Sequence, residues 1–289
     1  MSHKLLSRRV LLTLPVTLLT AVDPVCAADL RKKTLDAWQA YVQLTEERIS
    51  AELERGQGFL VRDFKGPSEA AGIRAIIASG KPYIAKMQTR NQANNEIKIQ
   101  DGIVHHRYGS IFIPGARIVD VLSWVQNFDQ YHVYFAEVEK SKLLSRNGDK
   151  FDVFMRLIRT KIGITVHYNT DYTFTFRRHD DARTSGSMIA TRIAEIEDVG
   201  TRREKEKTPG QDSGYFWRSN FYWRYLEGTD GTFLECEAVS LSREVPFGLG
   251  LFFRSFVESI VEESVVSVLI SIRDGVMRKP PNRSAVLIK

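Results

Sequence analysis

The chain has 289 residues, 43% of them hydrophobic and 26% charged, with a net charge of +6. That length and balance suit one or two globular domains with a buried core and exclude global disorder. With only two cysteines, Cys26 and Cys236, a disulfide scaffold and a four-cysteine zinc site are excluded as well.

Charges of both signs are interleaved, with no long Lys/Arg block, so no nucleic-acid partner is expected. At the start, Lys4, Arg8 and Arg9 precede an apolar run, Val10–Val22, which leads to Val25-Cys26-Ala27. A basic segment, a short apolar segment and small residues at the exit form a secretory signal peptide. Cleavage is expected after Ala27, with Ala28 as the alternative. The run is short for a membrane span, and Pro15 interrupts it. Ser7-Arg8-Arg9-Val10-Leu11-Leu12 also resembles the twin-arginine export motif, so both export routes stay open. Either route predicts that residues 1–27 are removed and that the mature protein is periplasmic or extracellular.

Residues 30 to 55 carry Leu35, Trp38, Val42, Thr45, Ile49 and Leu53 at three- and four-residue steps, which predicts an amphipathic helix ending at Gly56 and Gly58. Phe59–Phe64 reads as a short strand. Glu69–Ser79 reads as a second helix, broken by Gly80-Lys81-Pro82. Residues 28–97 are therefore expected to form a helical extension packed on a main domain over 98–278, followed by a flexible tail, 279–289. The main domain opens with a strand, Ile103–Ile113, and short helices within Arg117–Phe135. Four strands follow: Val138–Leu144, Lys150–Arg159, Ile164–Arg177 and Ser185–Glu197. Asn147-Gly148 marks a tight hairpin between the first two. Val199–Ser213 reads as a mobile surface loop. Two more strands, Tyr215–Glu227 and Thr232–Arg243, meet around Gly228–Gly231, and a long helix, Leu249–Met277, closes the domain. Along it Phe253, Val257, Val261, Val265, Val268 and Ile272 form one stripe, while Glu258 and Glu262 lie away from it, in solvent. An antiparallel sheet with helices on one face is an α+β architecture.

In this order the chain resembles a family. Gly102-Ile103-Val104-His105-His106-Arg107-Tyr108-Gly109 leads into Phe112-Ile113-Pro114-Gly115-Ala116. Later come Gly214-Tyr215-Phe216-Trp217-Arg218-Ser219-Asn220 and Glu235-Cys236-Glu237-Ala238-Val239-Ser240, with Pro246 and Gly248 before the long helix. The chain is similar to exported bacterial START-like proteins of the START/polyketide-cyclase (SRPBCC) superfamily. The resemblance implies a helix-grip fold, in which a curved antiparallel sheet wraps a long C-terminal helix and leaves a hydrophobic cavity. It implies no particular reaction.

Strand alternation divides the candidate site residues. Tyr168, Tyr172 and Phe174 share the apolar face of the clearest strand. In the last two strands one face carries Trp217, Phe221 and Trp223, and the turn sets Phe221 opposite Ala238 and Trp223 opposite Cys236. This aromatic-plus-small face suits a cavity wall. Tyr168, Tyr172, Phe174, Trp217, Phe221, Trp223, Cys236, Ala238, Phe253 and Val257 are therefore the expected ligand contacts. The other face, with Arg218, Arg224, Glu235 and Glu237, is expected to meet solvent. The opposite assignment would put Arg218 and Glu237 inside as polar cavity groups, joined by His106.

No catalytic constellation is apparent. His105 and His106 are neighbours on a strand and point to opposite faces, so they cannot chelate a metal together. No nucleophile elbow, phosphate loop or dinucleotide fingerprint occurs. No cofactor and no metal are expected. The reading these features favour is binding, with transfer, of an apolar lipid-like small molecule in an internal cavity, with transient membrane contact. The alternative is a cyclase/dehydratase- or hydrolase-type enzyme acting on an apolar carbonyl compound there, with His106, Tyr108 or Arg218 with Glu237 as acid–base groups. A third reading is an envelope interaction domain whose interior is filled by side chains. Ligand identity and oligomeric state stay open.

Overall fold

The computed structural model describes residues 32–161, 164–208, 210–244 and 250–278. The expected signal peptide and the tail lie outside these residues, and the side chains of Phe253 and Val257 lie outside the description too.

The chain opens with α1, Lys32–Glu54, whose buried stripe is Thr34, Trp38, Tyr41, Thr45, Ile49 and Glu52. The stripe thus includes polar groups that hydropathy spacing alone passes over. Gly56 and Gly58 then take positive φ angles, 69° and 79°, and turn the chain back. Phe59–Phe64, expected as a strand, instead contains a 3-10 turn, Val61–Phe64. The Asp63 carboxylate fixes that turn by accepting hydrogen bonds from the Phe59 and Leu60 amides at 2.9 and 2.8 Å. Helix α2 spans Pro67–Ala78. A short edge strand that the sequence reading missed, β1 (Tyr83–Lys86), follows.

Strand β2 (Gly102–Pro114) leads to α3 (Ile118–Val125) and the single-turn α4 (Tyr131–Tyr134). The sheet continues through β3 (Val138–Asn147), β4 (Lys150–Lys161), β5 (Ile164–Arg178) and β6 (Arg183–Glu197). The segment read as a loop holds a two-residue strand, β7 (Lys205–Glu206), paired with the end of β6. Strands β8 (Arg218–Gly228) and β9 (Gly231–Arg243) precede α5 (Gly250–Arg278). The main sheet is antiparallel in the order β1-β2-β9-β8-β6-β5-β4-β3. Phe221 stands opposite Ala238, and Trp223 opposite Cys236, as the turn around Gly228–Gly231 requires.

The sheet curves around α5, with α3 and α4 closing one end, which is the helix-grip arrangement. Val265, Leu269, Ile272 and Val276 seat the helix in a core with Ile111, Ile113, Leu234 and Trp124. Two glycines permit that seat. A Cβ on Gly109 would lie 2.8 Å from Leu269 and Val265, and one on Gly275 would lie 2.3 Å from the Trp124 ring. Either addition overfills a packed core. Glu258 is not simply solvated: it reaches Lys86, and Arg107 at 3.7 Å. On the outer side of the sheet, Trp38, Tyr41 and Ile49 of α1 pack on Tyr222, Val239 and Leu241.

Candidate functional site: an apolar cavity inside the sheet and a polar seam outside it

Alternation along β2, β8 and β9 sends successive side chains to opposite sides. On the inner side a cavity of about 280 Å³ lies between the curved sheet and α5. Its walls come from Tyr168, Tyr172, Phe174 and Phe176 of β5, Met155 and Leu157 of β4, Phe221 and Trp223 of β8, Cys236 and Ala238 of β9, and Val261 and Val268 of α5. Val125, Tyr131 and Phe135 close the end beneath α3 and α4.

Polar groups are few, and most lie at the other end, where β2, β5 and β8 begin and β4 and β9 end. His105 lines the wall there, its Nε2 2.8 Å from Ser242 Oγ. Ser219 and Ser240 line it too. The Tyr168 hydroxyl is buried and has no hydrogen-bond partner among the described residues. Burial pushes that phenol well above its ordinary pKa, with Glu195 and Asp212 adding to the effect, so it is a neutral donor. At the rim, Arg159 pairs with Glu137 and with Glu263 (3.1 Å), and Ser264 donates to Glu137 at 3.0 Å. Burial raises the Glu137 carboxyl, and Arg159 opposes that shift.

Seven of the expected contacts therefore sit in one cavity wall: Tyr168, Tyr172, Phe174, Phe221, Trp223, Cys236 and Ala238. Trp217 does not. Its amide donates to the Leu241 carbonyl at 2.8 Å although Arg218 is the residue registered with Leu241. Trp217 thus stands just before β8, outside the regular alternation that begins at Arg218. Trp217 packs outside with Trp38 and Tyr41, and its indole donates to Asp212 at 2.9 Å.

His106, Arg218 and Glu237 are corrected in the same way, since none of them lines the cavity. Arg218 donates to the Trp217 carbonyl at 2.7 Å, and burial lowers its guanidinium pKa. His106 and Glu237 belong to a polar seam between the outer side of the sheet and the N-terminal extension. The face expected to meet solvent is covered: Arg224, Glu235 and Glu237 are 3%, 1% and 2% exposed. Thr89 N–H donates to the Tyr41 hydroxyl at 2.8 Å. Tyr41 lies 2.9 Å from His106 Nδ1, and His106 Nε2 lies 3.0 Å from Glu237 Oε1. The His106 ring thus bridges the Tyr41 phenol and the Glu237 carboxylate, one partner at each nitrogen. Arg48 pairs with Glu237 and, at 2.9 Å, with Glu52, which also holds Arg224. Glu235 accepts from Tyr108 (2.6 Å), Ser110 (3.2 Å) and the Val61 amide (2.6 Å).

Two buried carboxylates on one strand are thus tuned in opposite directions. Burial alone would raise the Glu237 carboxyl. The hydrogen bond from His106 and the charges of Arg48, His106 and Arg224 hold it below its ordinary value. For Glu235 burial wins, and its carboxyl is raised. The tyrosine–histidine–carboxylate order resembles a proton relay. Yet Tyr41, His106 and Glu237 are each at most 4% exposed, and none of them borders the cavity. What the seam can do is dock α1 on the sheet. The residue that sequence reasoning passed over is His105, which shares the inward side of β2 with Gly109 and Ile111.

No family model matches the chain, and no curated protein matches it. Among solved structures it is similar to a STAR-related lipid transfer protein fragment from Xanthomonas axonopodis, with 13% identity and a TM-score of 0.45 over 68% of this chain and 99% of that one. It is similar to the Zhui aromatase/cyclase from Streptomyces sp. R1128, with 14% identity and a TM-score of 0.43 over 61% and 95%. It is also similar to human STARD10, with 6% identity and a TM-score of 0.44 over 79% and 84%. From its own strands and helices, the chain is an α+β protein of helix-grip architecture.

Proposed function

We propose that this protein binds, and carries between sites, an apolar lipid-like small molecule held in the cavity between sheet and α5. The observation that carries the reading is a space of about 280 Å³ behind an almost wholly apolar wall. Small-molecule pockets commonly measure about 300–1,000 Å³, apolar with a few placed polar groups. The cluster at Tyr168, Ser219 and Ser240 supplies such a polar end. The acid–base groups that would have served an enzyme, His106, Arg218 and Glu237, lie outside the cavity.

Native mass spectrometry of protein purified from a bacterial envelope tests the reading. The expected result is a reproducible adduct that extracts into organic solvent, lost when Ala238→Leu fills the cavity. A clean unliganded mass, together with no binding of fatty acids, fatty alcohols or sterols, overturns it. Turnover of an apolar carbonyl compound by the same protein would instead favour catalysis.

The protein works outside the cytoplasm in this reading, supported by the basic and apolar order of its first thirty residues. N-terminal sequencing of periplasmic protein should begin at Ala28 or Asp29. Full-length protein confined to the cytoplasm overturns that part alone.

A further inference from the structure

A second place in the molecule is built for a ligand of the opposite character. Where α1 ends, the chain turns through Gly56 and Gly58 into the 3-10 turn held by Asp63. A Cβ on Gly58 would lie 3.0 Å from that of Asp63, so the turn is tight. The turn drives Arg62 inward until it is 5% exposed. Its guanidinium carbon lies 4.2 Å from the centroid of the Phe233 ring. No carboxylate among the described residues pairs with it, and Nη1 has no hydrogen-bond partner there. The Glu235 carboxylate on the strand below interacts with the Arg62 charge through space, but its oxygens accept hydrogen bonds from Tyr108, Ser110 and the Val61 amide rather than from Arg62. A guanidinium this buried, met only at a distance by the Glu235 charge, favours an anion that can bond to it directly.

Arg62 lines a groove that it shares with Arg55, Lys65 and Arg74. Arg55 and Arg74 are exposed, and Lys65 is shared with Glu69 at 2.8 Å. The one acid in the lining, Asp63, is spent on backbone amides. The groove also takes in Pro67, the first residue of α2, whose N-terminus has no side-chain cap. A twelve-residue helix directs its first free N–H groups and the positive end of its dipole toward that point. A planar guanidinium, flanking cations and a helix N-terminus suit a tetrahedral oxyanion.

We propose that this groove binds a phosphate group, with Arg62 as its buried anchor and Arg55, Lys65 and Arg74 around it. Free phosphate and the headgroup of an anionic phospholipid present the same chemistry. The site stands apart from the cavity and does not depend on what the cavity holds.

Calorimetric titration of the purified full-length chain with inorganic phosphate, at ionic strength matched with sodium chloride, tests the proposal. It is run beside flotation on vesicles of phosphatidylglycerol mixed with phosphatidylcholine, against phosphatidylcholine alone. At least one probe should bind saturably. The Arg62→Gln variant, and separately Arg55→Glu/Arg74→Glu, should weaken that binding at least tenfold. Arg178→Glu/Arg202→Glu, which changes the net charge equally outside the groove, should leave it within twofold. If Arg62→Gln fails to fold, the rim pair carries the test, since both of its side chains are exposed. Saturable binding of phosphate in solution identifies a free oxyanion; binding confined to phosphatidylglycerol vesicles identifies a lipid headgroup. Loss of affinity in the outside-groove control equal to that in the rim variant, or no binding to either probe, overturns the proposal.

Discussion

The two sides of β2, β8 and β9 are made from the same three strands and hold opposite materials. Inward, Phe221, Trp223, Cys236 and Ala238 face space. Outward, Arg224, Glu235, Glu237 and His106 are buried against α1 and the 3-10 turn. Alternation fixes which residues share a side, and the neighbouring layer decides what that side means. A charged strand face reads as solvent-exposed only until a helix lands on it. Here the helix brings its own Arg48 and Glu52, and the strand charges become an interface.

The largest effect should come from breaking the seam. Glu237→Ala leaves Arg48 and His106 facing a vacated site, and removing one member of a buried pair typically costs about 3–5 kcal/mol. Urea unfolding should show that loss in the midpoint. A change below ~1 kcal/mol would mean that water reaches the seam and that the two sides differ less than their side chains suggest.

A matched pair of substitutions sharpens the contrast. Tyr108→Phe deletes the donor to Glu235 and should cost about 1–3 kcal/mol. Tyr168→Phe deletes a hydroxyl that bonds to nothing among the described residues, and should stay within ~0.5 kcal/mol of the parent. It should instead alter which adducts the cavity retains. Equal effects on stability would erase the distinction between a working polar interface and a wall in wait of a ligand.

A smaller effect follows from pH. The Glu237 carboxyl is held below its ordinary value in the folded state. Its contribution is therefore present above the unfolded pKa and is lost as pH falls through the folded one. Unfolding curves of the parent and of Glu237→Gln should differ at neutral pH and converge on acidification. Glu235, raised by burial, has the reverse sign: it favours the folded state in acid and loses that contribution as pH rises through its folded value. A gap between parent and Glu237→Gln that stays constant down into acid would detach Glu237 from the acid response.

Much of this was legible in the sequence, and the reasons are local. The period of two from Val166 to Phe176, the turn near Gly228–Gly231 and the long apolar stripe after Pro246 each depend on near neighbours. They were enough for the succession of strands and helices along the chain, the α+β class and the parity that places seven residues in the cavity wall; the helix-grip arrangement was what the resemblance implied. What stayed hidden depends on distant partners. Nothing within Tyr215–Glu227 announces that regular pairing begins only at Arg218 and leaves Trp217 outward, because that pairing is defined by Leu241. The burial of Glu237 is set by Arg48, 189 residues earlier. Tyr41 and Glu52 do not count as core by hydropathy, yet both lie in the buried stripe of α1 because their partners sit on the sheet. Arg62 lay in a segment read as a strand, and its burial depends on the turn that Asp63 closes and on Phe233 far along the chain.

Cys236 gives the cavity a clock. It is the only cysteine among the described residues, is 2% exposed, and lies in the cavity wall opposite Trp223. Burial, and to a lesser degree Glu237, pushes its thiol well above the ordinary value, so the reactive thiolate is scarce while the wall is closed. Alkylation must wait for the sheet and α5 to part, and its rate counts those openings. An occupant that holds the wall shut slows the count, so one mass shift read over time reports occupancy without a label.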